Sequence, residues 1–255
     1  MIEIRNVRKS YGDTVVVDDV SLTLPGGGVT AVIGPNGAGK STLLTMIGRL
    51  LPMDSGQILV DGLDVTRAPS GELARRLSIL RQENHIAARL TVRDLVAFGR
   101  YPHSGGRLTP ADRAHVERAM DFLGVTHLAG RFLDELSGGQ RQRVHVAMVV
   151  CQDTDYVLLD EPLNNLDMKH AVQMMQLMRR MADDLGKTIV VVLHDINFAS
   201  VYADHIVAMR HGRVLRQGPP REMMTPEAMR EIYDIDMRIE EIGGDRIGVY
   251  YRQPA

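Results

Sequence analysis

The sequence has no tryptophan, and aromatic residues make up only 4% of it, so a tyrosine in a polar setting draws notice. It has one cysteine, Cys151, which excludes a disulfide framework within the chain and suits a reducing compartment. Cys151 ends an apolar run and reads as a buried, inert thiol. Charge of either sign is not in excess: 30 basic residues stand against 32 acidic ones, a net charge of −2, so a strong basic field for nucleic acid is missing. The clean apolar runs, such as 189–193, fall far short of the roughly 20 residues that a membrane helix needs. Residues 1–9 alternate apolar and charged side chains and lack the apolar core of a signal peptide. If the protein works at a membrane, another chain is expected to supply the spanning part. Heptads, internal repeats and low-complexity segments are also lacking. What is present suits one large domain, or two lobes sharing a core: 255 residues, 44% of them hydrophobic and 24% charged.

The rest of the chain is organised around Gly34-Pro35-Asn36-Gly37-Ala38-Gly39-Lys40-Ser41-Thr42, which fits G-x-x-x-x-G-K-[ST]. An apolar run, Val29–Ile33, leads into it. Glycines let the chain bend so that successive backbone N–H groups form a nest for anionic oxygens. Lys40 adds a charge that can reach outer phosphates, and the Ser41 hydroxyl can ligate Mg²⁺. Leu43, Leu44, Ile47, Leu50 and Leu51 follow at helical spacing, so the start of a helix lies under the phosphates, where its dipole favours negative charge.

Around this loop the sequence predicts an α/β core. Residues 1–5, 15–24, 57–60 and 77–80 read as strands, with turns at Tyr11-Gly12-Asp13 and Asp61-Gly62. Tyr11 keeps two readings: a ring that stacks on a base, or a half-buried tyrosine at a strand end. Gln82 follows the 77–80 strand at once. From His85 to Cys151 no strand is evident. Thr91-Val92-Arg93-Asp94 and Thr109-Pro110-Ala111-Asp112 open helices, and 101–107 reads as a Pro/Gly/Ser loop. This stretch is expected to be a helical lobe inserted into the core. It contains Leu136-Ser137-Gly138-Gly139-Gln140, a second helix start suited to an anion.

Tyr156-Val157-Leu158-Leu159 reads as a buried strand ending in Asp160-Glu161-Pro162. Adjacent carboxylates there point to opposite sides, so one can face a metal and its neighbour a water. Such a pair is costly to bury without a cation. After the polar run Asn164-Asn165-Leu166-Asp167, residues Met168, Ala171, Met175, Met178, Ala182 and Leu185 mark one helix face, read as core. Residues 188–193 form a central strand, and His194 stands at its C-terminal end, where such sheets bind ligands. A hairpin around Arg210-His211-Gly212-Arg213, a helix from Thr225-Pro226 and a weaker strand region complete the chain. His85, His103, His115, His127, His145, His170, His205 and His211 show no metal-ligand spacing.

Together these residues resemble the ATP-binding subunit of an ABC transporter over nearly the whole chain. The run Leu136-Ser137-Gly138-Gly139-Gln140 resembles the signature that separates this family from other phosphate-loop proteins. Gly34 to Ser41 resembles its Walker A motif and Tyr156–Asp160 its Walker B. Glu161 sits at the catalytic glutamate, Gln82 at the Q-loop, Asp167 at the D-loop, His194 at the switch histidine and Tyr11 at the adenine-stacking aromatic. Arg81 and Asn164-Asn165 depart from the commonest forms. The Asn pair is typical of a narrower group. With Val96-Ala97-Phe98-Gly99-Arg100-Tyr101-Pro102-His103, the stretch from Glu161 to His170 resembles the ATPases of bacterial iron–siderophore importers.

The resemblance implies a RecA-like phosphate-loop NTPase core with an antiparallel β subdomain, over 1–84 and 152–255, and a helical subdomain over 85–151. It implies ATP and Mg²⁺ as ligands, with Lys40 and the loop amides on the phosphates and Ser41, Gln82 and Asp160 around the metal. Glu161 would polarise the attacking water and His194 would contact the γ-phosphate. Ser137 and Gly139 would act across a homodimer, or a pair of ATPase subunits, with Asp167 linking the two sites. That pair would sit on two transmembrane permease subunits at the cytoplasmic face of the membrane, meeting a substrate-binding protein only indirectly, and would bind no nucleic acid. Cobalamin and haem importers stay open as alternatives. So do an export system and a soluble nucleotide switch, although the coiled-coil insertion or tandem cassettes usual in the last are missing.

Overall fold

The computed structural model describes residues 1–82 and 88–251. In chain order, β1 (Ile2–Tyr11) and β2 (Thr14–Leu24) form a hairpin, and β3 (Val29–Ile33) leads to α1 (Lys40–Ile47). Next come β4 (Ser55–Val60), β5 (Leu63–Asp64), α2 (Ser70–Arg76) and β6 (Leu77–Leu80). The helices α3 (Val92–Phe98), α4 (Tyr101–Ser104), α5 (Pro110–Phe122) and α6 (Gly138–Gln152) follow. Then β7 (Tyr156–Asp160), α7 (Met168–Asp183), β8 (Thr188–Val192), α8 (Ile196–Tyr202), β9 (His205–Arg210) and β10 (Arg213–Gly218) return to the sheet. The chain closes with α9 (Pro220–Met223), α10 (Pro226–Tyr233), β11 (Arg238–Ile242) and β12 (Asp245–Val249).

The central sheet runs β10-β9-β3-β8-β7-β6. Its pairs are parallel except β10 with β9. Strands β3, β7 and β8 are buried at every position, as strands covered on both faces must be. Alternation then sorts their side chains. Ala31, Ile33, Val157, Leu159, Ile189 and Val191 join one core with residues of α3, α5, α6 and α7. Val32, Leu158, Val190 and Val192 join the other, with α1 and the antiparallel sheet β2-β1-β4-β5. The C-terminal ends of four neighbours, β3, β8, β7 and β6, therefore open on one crevice, the place where such sheets hold ligands.

The described part of the expected helical stretch, 88–151, holds α3 to α6 and no strand beyond an isolated bridge between Thr91 and Phe132. His85 lies outside the described residues. Thr91 with Asp94 and Thr109 with Asp112 make reciprocal capping boxes. Asp112 also accepts from Arg100 at 2.9 Å, both side chains being buried. The Thr109 hydroxyl and amide, then Arg100, hold its carboxyl well below the usual carboxylate range.

Some expectations need correction. The 101–107 stretch begins with the single turn α4, because Pro102 sits in the first turn, where its missing N–H costs nothing. On α7 the expected face is buried at Ala171, Met175, Met178 and Ala182, joined by Met174 and Met181, but its two ends are not: Met168 is 84% exposed and Leu185 is exposed. Counting three- and four-residue steps finds a face but not where the helix enters the core. Leu50 likewise lies beyond the end of α1 and is exposed. The short α9 has no counterpart in the sequence reading.

Candidate nucleotide site

At the end of β3 the chain turns through Gly34 at φ +140, where a β-carbon would come within 2.0 Å of the Met209 carbonyl oxygen. Only glycine fits there. Its N–H donates to Tyr233 Oη at 3.1 Å, so this amide faces the interior rather than a ligand. Past the turn, a cleft of about 490 Å³ is lined by Val16, every residue from Asn36 to Thr42, Gln82, Glu161, Asn164 and His194. Gly39 at φ +96 precedes α1, whose first turn carries Lys40, Ser41 and Thr42.

Lys40 is only 5% exposed, and its Nζ donates to the carbonyls of Gly34 at 2.8 Å and Pro35 at 2.9 Å. Burial pulls its pKa below the ordinary lysine value, while the charges of Glu161 and Asp160 pull it back up. Asp160 ends β7, also 5% exposed, and accepts from Ser41 Oγ at 2.7 Å. Burial raises its pKa, and the Ser41 hydrogen bond works against that rise. A buried ammonium, a hydroxyl and a buried carboxylate thus stand side by side under a helix start, with their charges opposed.

Glu161 follows β7 in left-handed backbone at φ +49, so strand alternation does not aim it; this turn does. Its Oε1 lies 2.7 Å from His194 Nε2, and its Oε2 accepts from Asn164 Nδ2 at 2.5 Å. His194 reaches it from the loop after β8, whose next residue, Asp195, caps α8 by accepting from Asn197 N–H at 2.8 Å.

The remaining predicted residues lie elsewhere. Gly34 and Pro35 form the base of the turn, outside the cleft lining. Tyr11 is 52% exposed at the end of β1, with Lys9 Nζ 5.8 Å from its ring centre, and does not line the cleft. Ser137 caps α6: its Oγ accepts from Gln140 N–H at 3.4 Å, and Gln140 Oε1 accepts from Ser137 N–H at 3.1 Å. Gly138 and Gly139 form the first turn. None of 137–140 touches this cleft. Asp167 caps α7 by accepting from the His170 N–H, and that bond and the His170 ring hold its carboxyl below the usual range. It too lies outside the cleft. Sequence reasoning missed Val16, Tyr233 and the bond from Asn164 to Glu161. Asn164 alone had a signal, as a departure from the common pattern three residues after the glutamate.

A phosphate-type loop before a helix, at the C-terminal edge of a parallel sheet, with lysine, serine, two carboxylates and a histidine converging on it, defines a phosphate-loop nucleotide-binding protein with a separate capped helix start on its helical lobe. The chain belongs to the ABC transporter family: the model of that family matches residues 17–164. It is 53% identical to the petrobactin import ATP-binding protein YclP of Bacillus subtilis, over 98% of this chain and 100% of that one. It is 54% identical to the petrobactin import ATP-binding protein FatE of Bacillus anthracis, over 96% of this chain and 97% of that one. Its fold is similar to that of the ATP-binding cassette MJ0796, solved as a dimer in a post-hydrolysis state with ADP and phosphate (TM-score 0.77, 28% identity, 87% of this chain and 99% of that one).

Proposed function

We propose that the protein is the ATP-hydrolysing subunit of an importer that carries a ferric siderophore across the cytoplasmic membrane. The observation that carries this reading is one cleft lined by Lys40, Ser41, Glu161 and His194, with Asp160 hydrogen-bonded to Ser41 beside it, in a chain whose petrobactin-import relatives match it almost end to end.

Water attacks the γ-phosphorus as its bond to the β–γ bridging oxygen breaks, giving ADP and inorganic phosphate; the task is mainly positioning and charge neutralisation. Lys40 exchanges its two carbonyl partners for the β- and γ-phosphates, joined by the amides of 36–42. Glu161 polarises the water, and His194 leaves Glu161 Oε1 for the γ-phosphate. The residues fit Mg²⁺: Ser41 and Asp160 already share a hydrogen bond where a hard cation could replace the proton. Mg²⁺ also favours few protein ligands with phosphates and water. Ser41, Gln82 and Asp160 would hold it, the last two partly through water, and when bound it neutralises charge on the phosphate oxygens.

Ser137, Gly138, Gly139 and Gln140 lie outside their own subunit's cleft, which supports their action on a partner's ATP in a homodimer. Asp167 links the two sites. Two permease subunits supply the membrane spans; no helix among the described residues is long and apolar enough to cross a membrane. Exposed Phe98 and Tyr101 offer apolar surface for that contact. The test is uptake of radiolabelled iron–petrobactin by cells with and without this chain. Loss of uptake on deletion, restored by the wild type but not by Glu161→Gln, supports the reading; uptake that persists without the chain rejects it.

A further inference from the structure

His170 bridges two segments of the same subunit. Its ring Nδ1 lies 2.7 Å from Asp167 Oδ1, the oxygen that also accepts the His170 backbone N–H at 2.8 Å. A carboxylate accepts, so Nδ1 carries the proton. The same ring covers Gly139: a β-carbon there would meet ring Cδ2 at 3.0 Å and Cγ at 3.1 Å. Beside it, a β-carbon on Gly138 would meet the Asn165 carbonyl oxygen at 3.9 Å. Further along the two helices, Arg143 donates to Gln173. The start of α6 and the loop entering α7 are therefore in register, and the imidazole is the piece held at both ends.

The ring's bond is not needed to start α7, because Asp167 already caps that helix through the backbone N–H. The ring adds a tie between the cap and the glycine turn. Coupling between sites is carried by rigid, packed elements with few alternative arrangements, and an imidazole fixed at one edge and packed at its face is such an element.

We infer that His170 is a positioning residue that couples the 137–140 turn to the Asp167 loop, so that a γ-phosphate landing on the turn from the partner's site is felt at Asp167. This rests on the reading that both segments act across a homodimer. Pulling the turn onto the phosphate moves the ring with it, and the ring carries the Asp167 carboxylate toward the partner.

The test uses the full chain in the Glu161→Gln background, where ATP should trap the dimer, with association followed by sedimentation. His170→Ala is expected to weaken ATP-driven dimerisation by about tenfold or more, the scale of a lost hydrogen bond to a charged group. ATP affinity of the isolated subunit should stay within about twofold, the additivity expected of distant sites. His170→Phe keeps a ring without the donor, and His170→Asn keeps a donor without the ring; each should fall between parent and His170→Ala. With Glu161 restored, His170→Ala should lower kcat and leave KM for ATP nearly unchanged. Dimerisation of His170→Ala at the parent's level overturns the inference. So does an equal loss of monomer ATP affinity, or parent-like behaviour of either single-feature variant. If the Glu161→Gln parent itself fails to dimerise with ATP, the cross-subunit reading has failed and this inference with it. A parent that dimerises beside unaffected His170 variants overturns the inference alone.

Discussion

His194 Nε2 lies 2.7 Å from Glu161 Oε1, while Asn164 holds the other oxygen. The glutamate is thus aimed before any nucleotide arrives. Replacing it by glutamine keeps its shape and removes the charge that would polarise water. Glu161→Gln should bind ATP with near-normal affinity and hydrolyse it about 10²–10⁴ times more slowly, the usual contribution of a positioned base. Calorimetric ATP binding beside phosphate release measures both. Wild-type turnover would remove Glu161 from the role.

Ser137 is exposed and takes no part in its own subunit's cleft. An arginine in its place should block a partner's phosphates while leaving Lys40 and the 36–42 amides untouched. Ser137→Arg should therefore lower turnover by about 10² or more, as expected for losing a preorganised donor, with nucleotide binding by the isolated subunit intact. The lost cap costs about 1 kcal/mol, so the subunit stays folded. Equal loss of binding and turnover would place Ser137 in its own site.

The readable parts of this site were short and local. The 34–42 loop, the carboxylates closing β7 and the histidine after β8 each sit where a strand ends, and parallel pairing of β3, β8, β7 and β6 brings those ends together. Contacts closed over long sequence distances left no local trace: Tyr233 reaches Gly34 across 199 positions. Pro102 misled because proline marks loops and first helical turns alike. Met168 misled because it fits the apolar period of α7 but stands at its first residue, beside the Asp167 cap, where the helix has not yet met the core.

Tyr11 still separates two readings. Its ring is half open to solvent, with Lys9 near its centre, and it lies outside the lining of the phosphate cleft. An adenine extending beyond that lining would find the ring free to stack. Base–aromatic stacking contributes about 1–3 kcal/mol, so Tyr11→Ala should weaken ATP binding about 5- to 150-fold and affect free triphosphate far less. Unchanged ATP affinity would assign Tyr11 to the strand end alone.

Cys151 is buried in α6, and burial pushes its thiol up to about 12. A thiol is nucleophilic only as thiolate, so at pH 8 on the order of 10⁻⁴ of it is reactive. Alkylation of the native protein should be undetectable over hours and become complete once denaturant is added. Because the folded pKa lies above the unfolded value, reactivity rises with pH and still lags a free thiol until the solution passes about 12. Rapid native labelling would show that α6 opens locally.

Tyr233, at the end of α10, lends its hydroxyl oxygen to the Gly34 N–H at 3.1 Å. Burial raises its phenol well above the usual tyrosine value, so it stays protonated at any working pH. Tyr233→Phe keeps the ring and removes that acceptor. Gly34 packs so close to the Met209 carbonyl that its amide reaches another acceptor only if the turn shifts. A buried N–H without a partner costs about 1–3 kcal/mol. Part of that loss should appear as reduced stability to urea, and part as weaker ATP binding, since the turn that sets the height of Lys40 and the 36–42 amides would relax. Both are measurable on one preparation, by denaturant titration and by nucleotide binding. If neither changes, the hydroxyl is incidental and the C-terminal helix does not support the phosphate loop.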